Sequence, residues 1–335
     1  MTTLSLADRL TGCLLGQAVG DAVGFVVEGA PPEDAAAYID VWVRTGRAAE
    51  RGRAPFSFGQ YSDDTQLARE LLIVFHETGC IEPMLFAGRI AELFRSGADV
   101  GAGPGTSAAA RRLAEGRTWS EAAIPAPYAG NGAAMRAGPI GLLARDREDL
   151  VHLALAAGSV THADSRCCAG AVAVAGAVAL AAREGPIERP AFLTELAHWV
   201  EGVDRPFAEA IRELARWGEL EPGAALDELH RQRLDPGASP HWRGITGHVV
   251  PSVLWSVYAF LRSPDDYGEA VWTAIRAGGD TDTTGAMSGA MSGARLGPAA
   301  LPAPLVARLT DRGEWDFSAL TALAQGCAKR VRQAN

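Results

Sequence analysis

A chain of 335 residues, 48% hydrophobic and 21% charged, carries enough apolar material for a large buried core, which excludes a disordered protein. Its formal charge of −9 comes from scattered acids without a basic block, so nucleic acid is excluded as the primary partner. The longest low-polarity run, Cys167 to Ala182, is too short and too rich in Ala and Gly to cross a bilayer, and no membrane is expected.

No linker-like stretch interrupts the chain, and residues 1–335 read as one domain. The opening MTTLSLADRL lacks a basic segment followed by an apolar run, so no signal peptide is expected. Cys13, Cys80, Cys167, Cys168 and Cys327 are odd in number and show no CxxC spacing, which fits reduced thiols in a cytoplasm. Helical periodicity recurs along the chain and alternating β-branched runs are scarce, so an all-α fold of many helices is predicted.

In the first predicted helix Gly12, Gly16, Gly20 and Gly24 recur every four residues and form one bare ridge, along which another helix can approach closely. Each costs about 0.5–1 kcal/mol of helix stability relative to Ala, so the pattern needs a compensating reason. Glu28 closes the segment, either as a solvated end or as a site residue. Next comes Tyr61-Ser62-Asp63-Asp64-Thr65, directly ahead of QLARELLIVF. Ser62 can cap that helix, and acids in its first turn favour the dipole. Leu67, Leu71, Leu72 and Phe75 form one apolar stripe, and Leu85, Ile90, Leu93 and Phe94 suggest another.

The run from Gly101 through Gly103, Gly105 and Thr106 to Ser107 leads into AAARRLAEG. Backbone amides and a helix N-terminus in that arrangement can hold a diphosphate, and a plain flexible loop would look the same. Tyr128 precedes Gly130-Asn131-Gly132, which reads as a tight turn or as a place of close ligand approach. His162, in Thr161-His162-Ala163-Asp164, precedes an apolar helix and is a structural, capping or ligand-contacting residue.

Near the end, Gly278-Gly279-Asp280-Thr281-Asp282-Thr283-Thr284-Gly285 leads into a second glycine series, Gly285, Gly289, Gly293 and Gly297. The segment opens like an EF-hand loop but carries Met291 where a bidentate Glu is required, so that reading fails. One helix cap does not require two carboxylates flanked by three threonines. Asp63, Asp64, Asp280 and Asp282 together would balance two divalent cations, which favour carboxylate and hydroxyl oxygens. Without metal the four would repel one another. The two segments lie more than two hundred residues apart, and whether the glycine ridges that flank them pack together is not legible in the sequence.

Five segments, GCLLGQAVGDAVGFVVEG, YSDDTQLA, AGNGAAMRAGPIGLL, VTHADS and AIRAGGDTDTTGAMSGAMSGARLG, resemble the ADP-ribosylglycohydrolase family in content and order. The resemblance implies an orthogonal bundle of helices around two divalent cations, Mg²⁺ or Mn²⁺. It implies hydrolysis of the bond between the anomeric ribose carbon and an acceptor, with ADP-ribose or an ADP-ribosylated protein as substrate, arginine-linked by default. It assigns metal binding to Ser62, Asp63, Asp64, Asp280, Asp282 and Thr283, and catalysis to Asp63, Asp64, Asp282 and Glu28. Substrate contacts fall on Gly101, Gly103, Gly105, Thr106, Tyr128, Gly130, Asn131, Gly132 and His162. A monomer is expected. Two rivals remain open: a silent ADP-ribose binder, and a metal hydrolase acting on another nucleotide-derived substrate.

Overall fold

Ser5 caps the first long helix, Leu6–Phe25, by accepting the Asp8 amide at 3.1 Å, while the Asp8 carboxylate accepts the Ser5 amide at 3.0 Å. This reciprocal box satisfies two amides that a helix start otherwise leaves unpaired. From Leu10 to Phe25 every residue is buried, as befits a helix apolar on all sides rather than along one stripe. The computed structural model describes residues 3–334, and these form eighteen α-helices with no strand among the described residues. The all-helical expectation holds.

The two glycine series face each other. Helix Leu6–Phe25 runs antiparallel to helix Thr281–Leu296, with Gly12 beside Gly293 and Gly297, Gly16 beside Gly289, Gly20 beside Gly285, and Gly24 beside Thr281. A methyl group on Gly12 would stand 2.9 Å from the Gly297 Cα, and one on Gly16 would stand 3.1 Å from the Gly293 Cα. Facing carbonyl oxygens would be nearer still. Backbone-to-backbone contact along four turns supplies dispersion and Cα–H···O contacts that offset the glycines' helix penalty. Tyr267 locks the pair, its hydroxyl donating to the Gly16 carbonyl at 2.7 Å.

Helix Thr281–Leu296 also touches helices Ser165–Ala181, Val249–Arg262 and Tyr267–Arg276, all largely buried, so it occupies the centre of the molecule. Helix Asp63–Thr78 is buried on every face from Asp63 to Phe75, where the sequence suggests a single stripe. In helix Pro83–Arg95 the buried face runs through Phe86, Ala87, Ile90, Ala91 and Leu93, and Leu85 is 44% exposed. The bulkier Phe86 shares a face with Ile90 at a spacing of four, which turns Leu85 outward. Cys13, Cys167, Cys168 and Cys327 are buried, Cys80 is exposed, and all five are unpaired. No described helix is long and apolar enough to cross a membrane.

Candidate functional site

One turn of the first helix holds both acidic segments. Asp21, fully buried, accepts the Ser62 amide at 2.8 Å, the Thr65 amide at 3.0 Å and the Thr65 hydroxyl at 2.6 Å. Three residues on, the Gly24 carbonyl accepts the Thr281 hydroxyl at 2.8 Å. Helix Asp63–Thr78 and helix Thr281–Leu296 therefore begin side by side. Their acidic segments touch directly, the Thr283 hydroxyl donating to Asp64 Oδ2 at 3.3 Å. Gln17, from the same first helix, donates to the Asp64 carbonyl at 2.9 Å and the Met135 carbonyl at 3.2 Å.

Capping accounts for part of each motif. Ser62 accepts the Asp64 amide at 3.3 Å as the N-cap, so Asp63 and Asp64 have no capping work. Asp280 stands at the N-cap of the second helix, and its side chain caps no amide. It instead accepts from Asn131 Nδ2 at 2.6 Å. Gly278 and Gly279, with φ of 69° and 79°, thread this segment between Ala30-Pro31 and Ile245 at distances that leave no room for a Cβ. Gly279 exchanges hydrogen bonds of 2.8 Å with Gly29 and Ala30, and Asp280 N donates to the Ile245 carbonyl at 2.9 Å.

A pocket of about 330 Å³ opens over these helix starts. Asp63, Asp64, Asp280, Asp282 and Thr283 line it together with Glu28, Gly101, Gly103, Gly105, Thr106, Tyr128, Gly130, Asn131, Gly132 and His162. Of the site residues that the resemblance implies, only Ser62 is absent from the wall; it is buried, its hydroxyl 3.1 Å from Asp64 Oδ2. The glycine-rich run ends earlier than its composition suggests. Pro104 opens helix Pro104–Ala114, so Gly105 and Thr106 lie in its first turn and Gly103 precedes it. Proline at a helix start loses no hydrogen bond and presets the backbone angle.

The acids form an electrostatic problem in the fold. Burial first, and neighbouring carboxylates second, push Asp63, Asp64 and Asp282 well above the ordinary aspartate range. Burial raises Asp280 as well, against the hydrogen bond from Asn131. Asp63 Oδ2 and Asp64 Oδ1 are buried and accept no hydrogen bond. Such atoms are costly unless a proton or a cation satisfies them. Among the described residues no three His, Cys, Asp or Glu side chains are gathered closely enough to form a ready-made metal site. Glu28 is partly buried, raised by burial and by Asp280, and held by Arg53 at 2.5 Å.

The opposite wall is neutral. Tyr128 Oη accepts the Gly105 amide at 3.1 Å, and its ring centroid lies 5.9 Å from that of His162. His162 is 1% exposed and its pKa is pushed down to about 3, chiefly by burial and then by Arg136. A Cβ at Gly105 would collide with Tyr128 Cε1 and stand 2.9 Å from His162 Nε2, and one at Gly132 would stand 2.6 Å from Thr106 Oγ1, so only glycine lets these walls pack so closely.

Several participants are not among the site residues that the sequence motifs imply. Asp21, Gln17 and Arg136 carried a readable signal, each a polar side chain set in an otherwise apolar or small-residue run. Trp242, Ile245, Thr246 and Gly247 also line the pocket, and nothing in their local sequence marks them.

The chain is similar to known proteins over most of its length. The chain is 27% identical over 317 residues to the ADP-ribosylhydrolase ARH3 of Gallus gallus, covering 84% of this chain and 83% of the relative. It is 30% identical over 288 residues to an uncharacterized protein of Archaeoglobus fulgidus, covering 84% and 86% of the two chains. A solved structure described as an ADP-ribosylglycohydrolase-related protein complex superposes with a TM-score of 0.72 at 27% identity, covering 98% of this chain and 99% of that one. The profile of the ADP-ribosylglycohydrolase family matches residues 2–334, and the chain belongs to that family of glycosidic-bond hydrolases.

Proposed function

We propose that this enzyme hydrolyses the bond between the anomeric carbon of ADP-ribose and its acceptor on an ADP-ribosylated protein, with arginine as the default acceptor, and releases ADP-ribose. The reading includes two divalent cations, Mg²⁺ or Mn²⁺. The observation that carries it is the pair of buried, unpartnered oxygens on Asp63 and Asp64, in a pocket shared with Asp280 and Asp282. Carboxylate and hydroxyl oxygens suit hard cations, so Asp63, Asp64, Asp280, Asp282 and Thr283 would hold them, with Ser62 orienting Asp64. When bound, such a pair supplies Lewis acidity and lowers the pKa of coordinated water toward about 7.

The remaining steps belong to side chains of the chain itself. Asn131 holds Asp280 in place through its 2.6 Å hydrogen bond. Gly101, Gly103, Gly105 and Thr106, at the start of helix Pro104–Ala114, receive the diphosphate, because a helix N-terminus offers unpaired amides and a favourable dipole. Tyr128, 36% exposed, offers the adenine a ring face, and Gly130 and Gly132 keep the wall low beside it. Glu28 accepts a proton from the attacking water. The bond from the anomeric carbon to the acceptor breaks as the carbon–water oxygen bond forms, and the acceptor leaves with its electron pair and gains a proton. A carboxyl whose pKa is raised by burial is a better proton acceptor than an ordinary glutamate.

The test is mass spectrometry of products from arginine-, serine- and cysteine-linked ADP-ribosyl substrates with Mg²⁺ or Mn²⁺. Free ADP-ribose and intact acceptor are expected from the wild type. Asp282→Ala should lose at least a hundredfold in turnover. Wild-type rates from that variant, or phosphate or nucleobase as the only product, would overturn the scheme.

A further inference from the structure

A buried chain of hydrogen bonds runs from Arg136 to the substrate side of the pocket. Arg136 is fully buried, and its guanidinium donates to the Gly132 carbonyl at 2.8 Å, the Ala157 carbonyl at 2.9 Å and the Thr161 hydroxyl oxygen at 2.7 Å. Thr161 Oγ1 lies 2.8 Å from His162 Nδ1. An arginine can only donate, so Thr161 Oγ1 receives from it. The single Thr161 proton has one remaining partner, His162 Nδ1; were Nδ1 protonated instead, a fully buried hydroxyl proton would be left unpaired. Donor counting therefore puts the imidazole proton on Nε2.

His162 Nε2 has no hydrogen-bond partner among the described residues, although the ring is 1% exposed. The ring lines the pocket together with Gly105, Thr106 and Gly132, close enough to both glycines that neither could carry a Cβ. A free ring N–H on the pocket wall, beside the first turn of helix Pro104–Ala114, is matched by an anionic oxygen on the ligand. Charge bears on the same point. Burial first, and the neighbouring Arg136 second, disfavour a positive charge on the imidazole against the pull of Asp164, so the ring donates as a neutral group.

We infer that Arg136 and Thr161 are positioning residues that lock His162 as a neutral imidazole protonated on Nε2, which donates to a phosphate oxygen of the bound substrate. The inference rests on the proposed ADP-ribosyl substrate for the identity of that oxygen and on the hydrogen-bond geometry alone for the tautomer. Neither Arg136 nor Thr161 lines the pocket, so both act through His162.

Nitrogen-15 NMR of histidine-labelled protein reads the tautomer directly. The wild type should show His162 with its proton on Nε2, and saturating ADP-ribose should shift that nitrogen. Thr161→Val keeps the side-chain shape and leaves Arg136 its two carbonyl partners. It should mix the tautomers and weaken ADP-ribose binding about tenfold. Thr161→Ser should restore both. A proton on Nδ1 in the wild type overturns the inference even if Thr161→Val fails to fold. So does a folded Thr161→Val with unchanged tautomer and affinity. A correct wild-type tautomer with no response to ADP-ribose supports the lock and overturns the substrate reading.

Discussion

A carboxylate in the middle of an apolar helix is a costly residue to fold, and Asp21 occupies such a place. Burial pushes its pKa up to about 7, against the pull of the Ser62 and Thr65 donors. Those donors explain its presence, since they dock helix Asp63–Thr78 onto the first helix. Asp21→Asn keeps the shape but loses an acceptor and introduces an unwanted donor. It should destabilise the fold by about 1–3 kcal/mol in urea unfolding, whereas a change under about 0.5 kcal/mol would remove Asp21 from this role. His162 gives the pH dependence. Its folded pKa is about 3 against about 6.5 unfolded, so between those values the unfolded chain binds the extra proton. Stability conferred by the neutral ring is complete above pH about 6.5 and falls with acid, by up to about 1.4 kcal/mol per pH unit. The gap in unfolding free energy between wild type and His162→Gln should therefore narrow from pH 7 to pH 5; a constant gap would contradict the assignment. Single residues were legible in proportion to their oddity. Asp63, Asp64, Asp280 and Asp282 stand in dense motifs, whereas Asp21 is a single polar residue whose partners Ser62 and Thr65 lie more than forty residues on.

At the scale of elements, period and partner are separate pieces of information. Glycines every four residues define a ridge, and only the folded chain shows that Gly16 meets Gly289 and Gly20 meets Gly285. Gly16→Ala forces a methyl into the Gly289 backbone, which cannot swing aside, and should destabilise by at least about 2 kcal/mol. Gly88→Ala is the contrasting substitution. Gly88 lies within helix Pro83–Arg95 with open space around it, so alanine should stabilise by about 0.5–1 kcal/mol. Denaturant midpoints moving the same way in both variants would refute the packing account. The Pro83–Arg95 stripe and the start of helix Pro104–Ala114 differ from the positions the sequence pattern predicts for a common reason. Local pattern ranks apolar residues equally, while the fold gives the interior to the larger Phe86 and the helix start to a proline.

Across the whole molecule, two acidic segments more than two hundred residues apart in sequence lie against one turn of a single helix. Their charges and the all-helical class were readable from residue types and periodicity. Their meeting, and the wall formed by Trp242, Ile245, Thr246 and Gly247, depended on tertiary contacts that leave no local trace. If these segments make one cation site, each half is insufficient alone. Titration of Mn²⁺ into the protein, followed by electron paramagnetic resonance, addresses this most directly. The account predicts about two tightly bound, magnetically coupled ions per wild-type chain, with the coupling lost in Asp64→Asn and equally in Asp282→Asn. Unaltered Mn²⁺ binding in either variant, with the other impaired, would show that the two segments do not share a site.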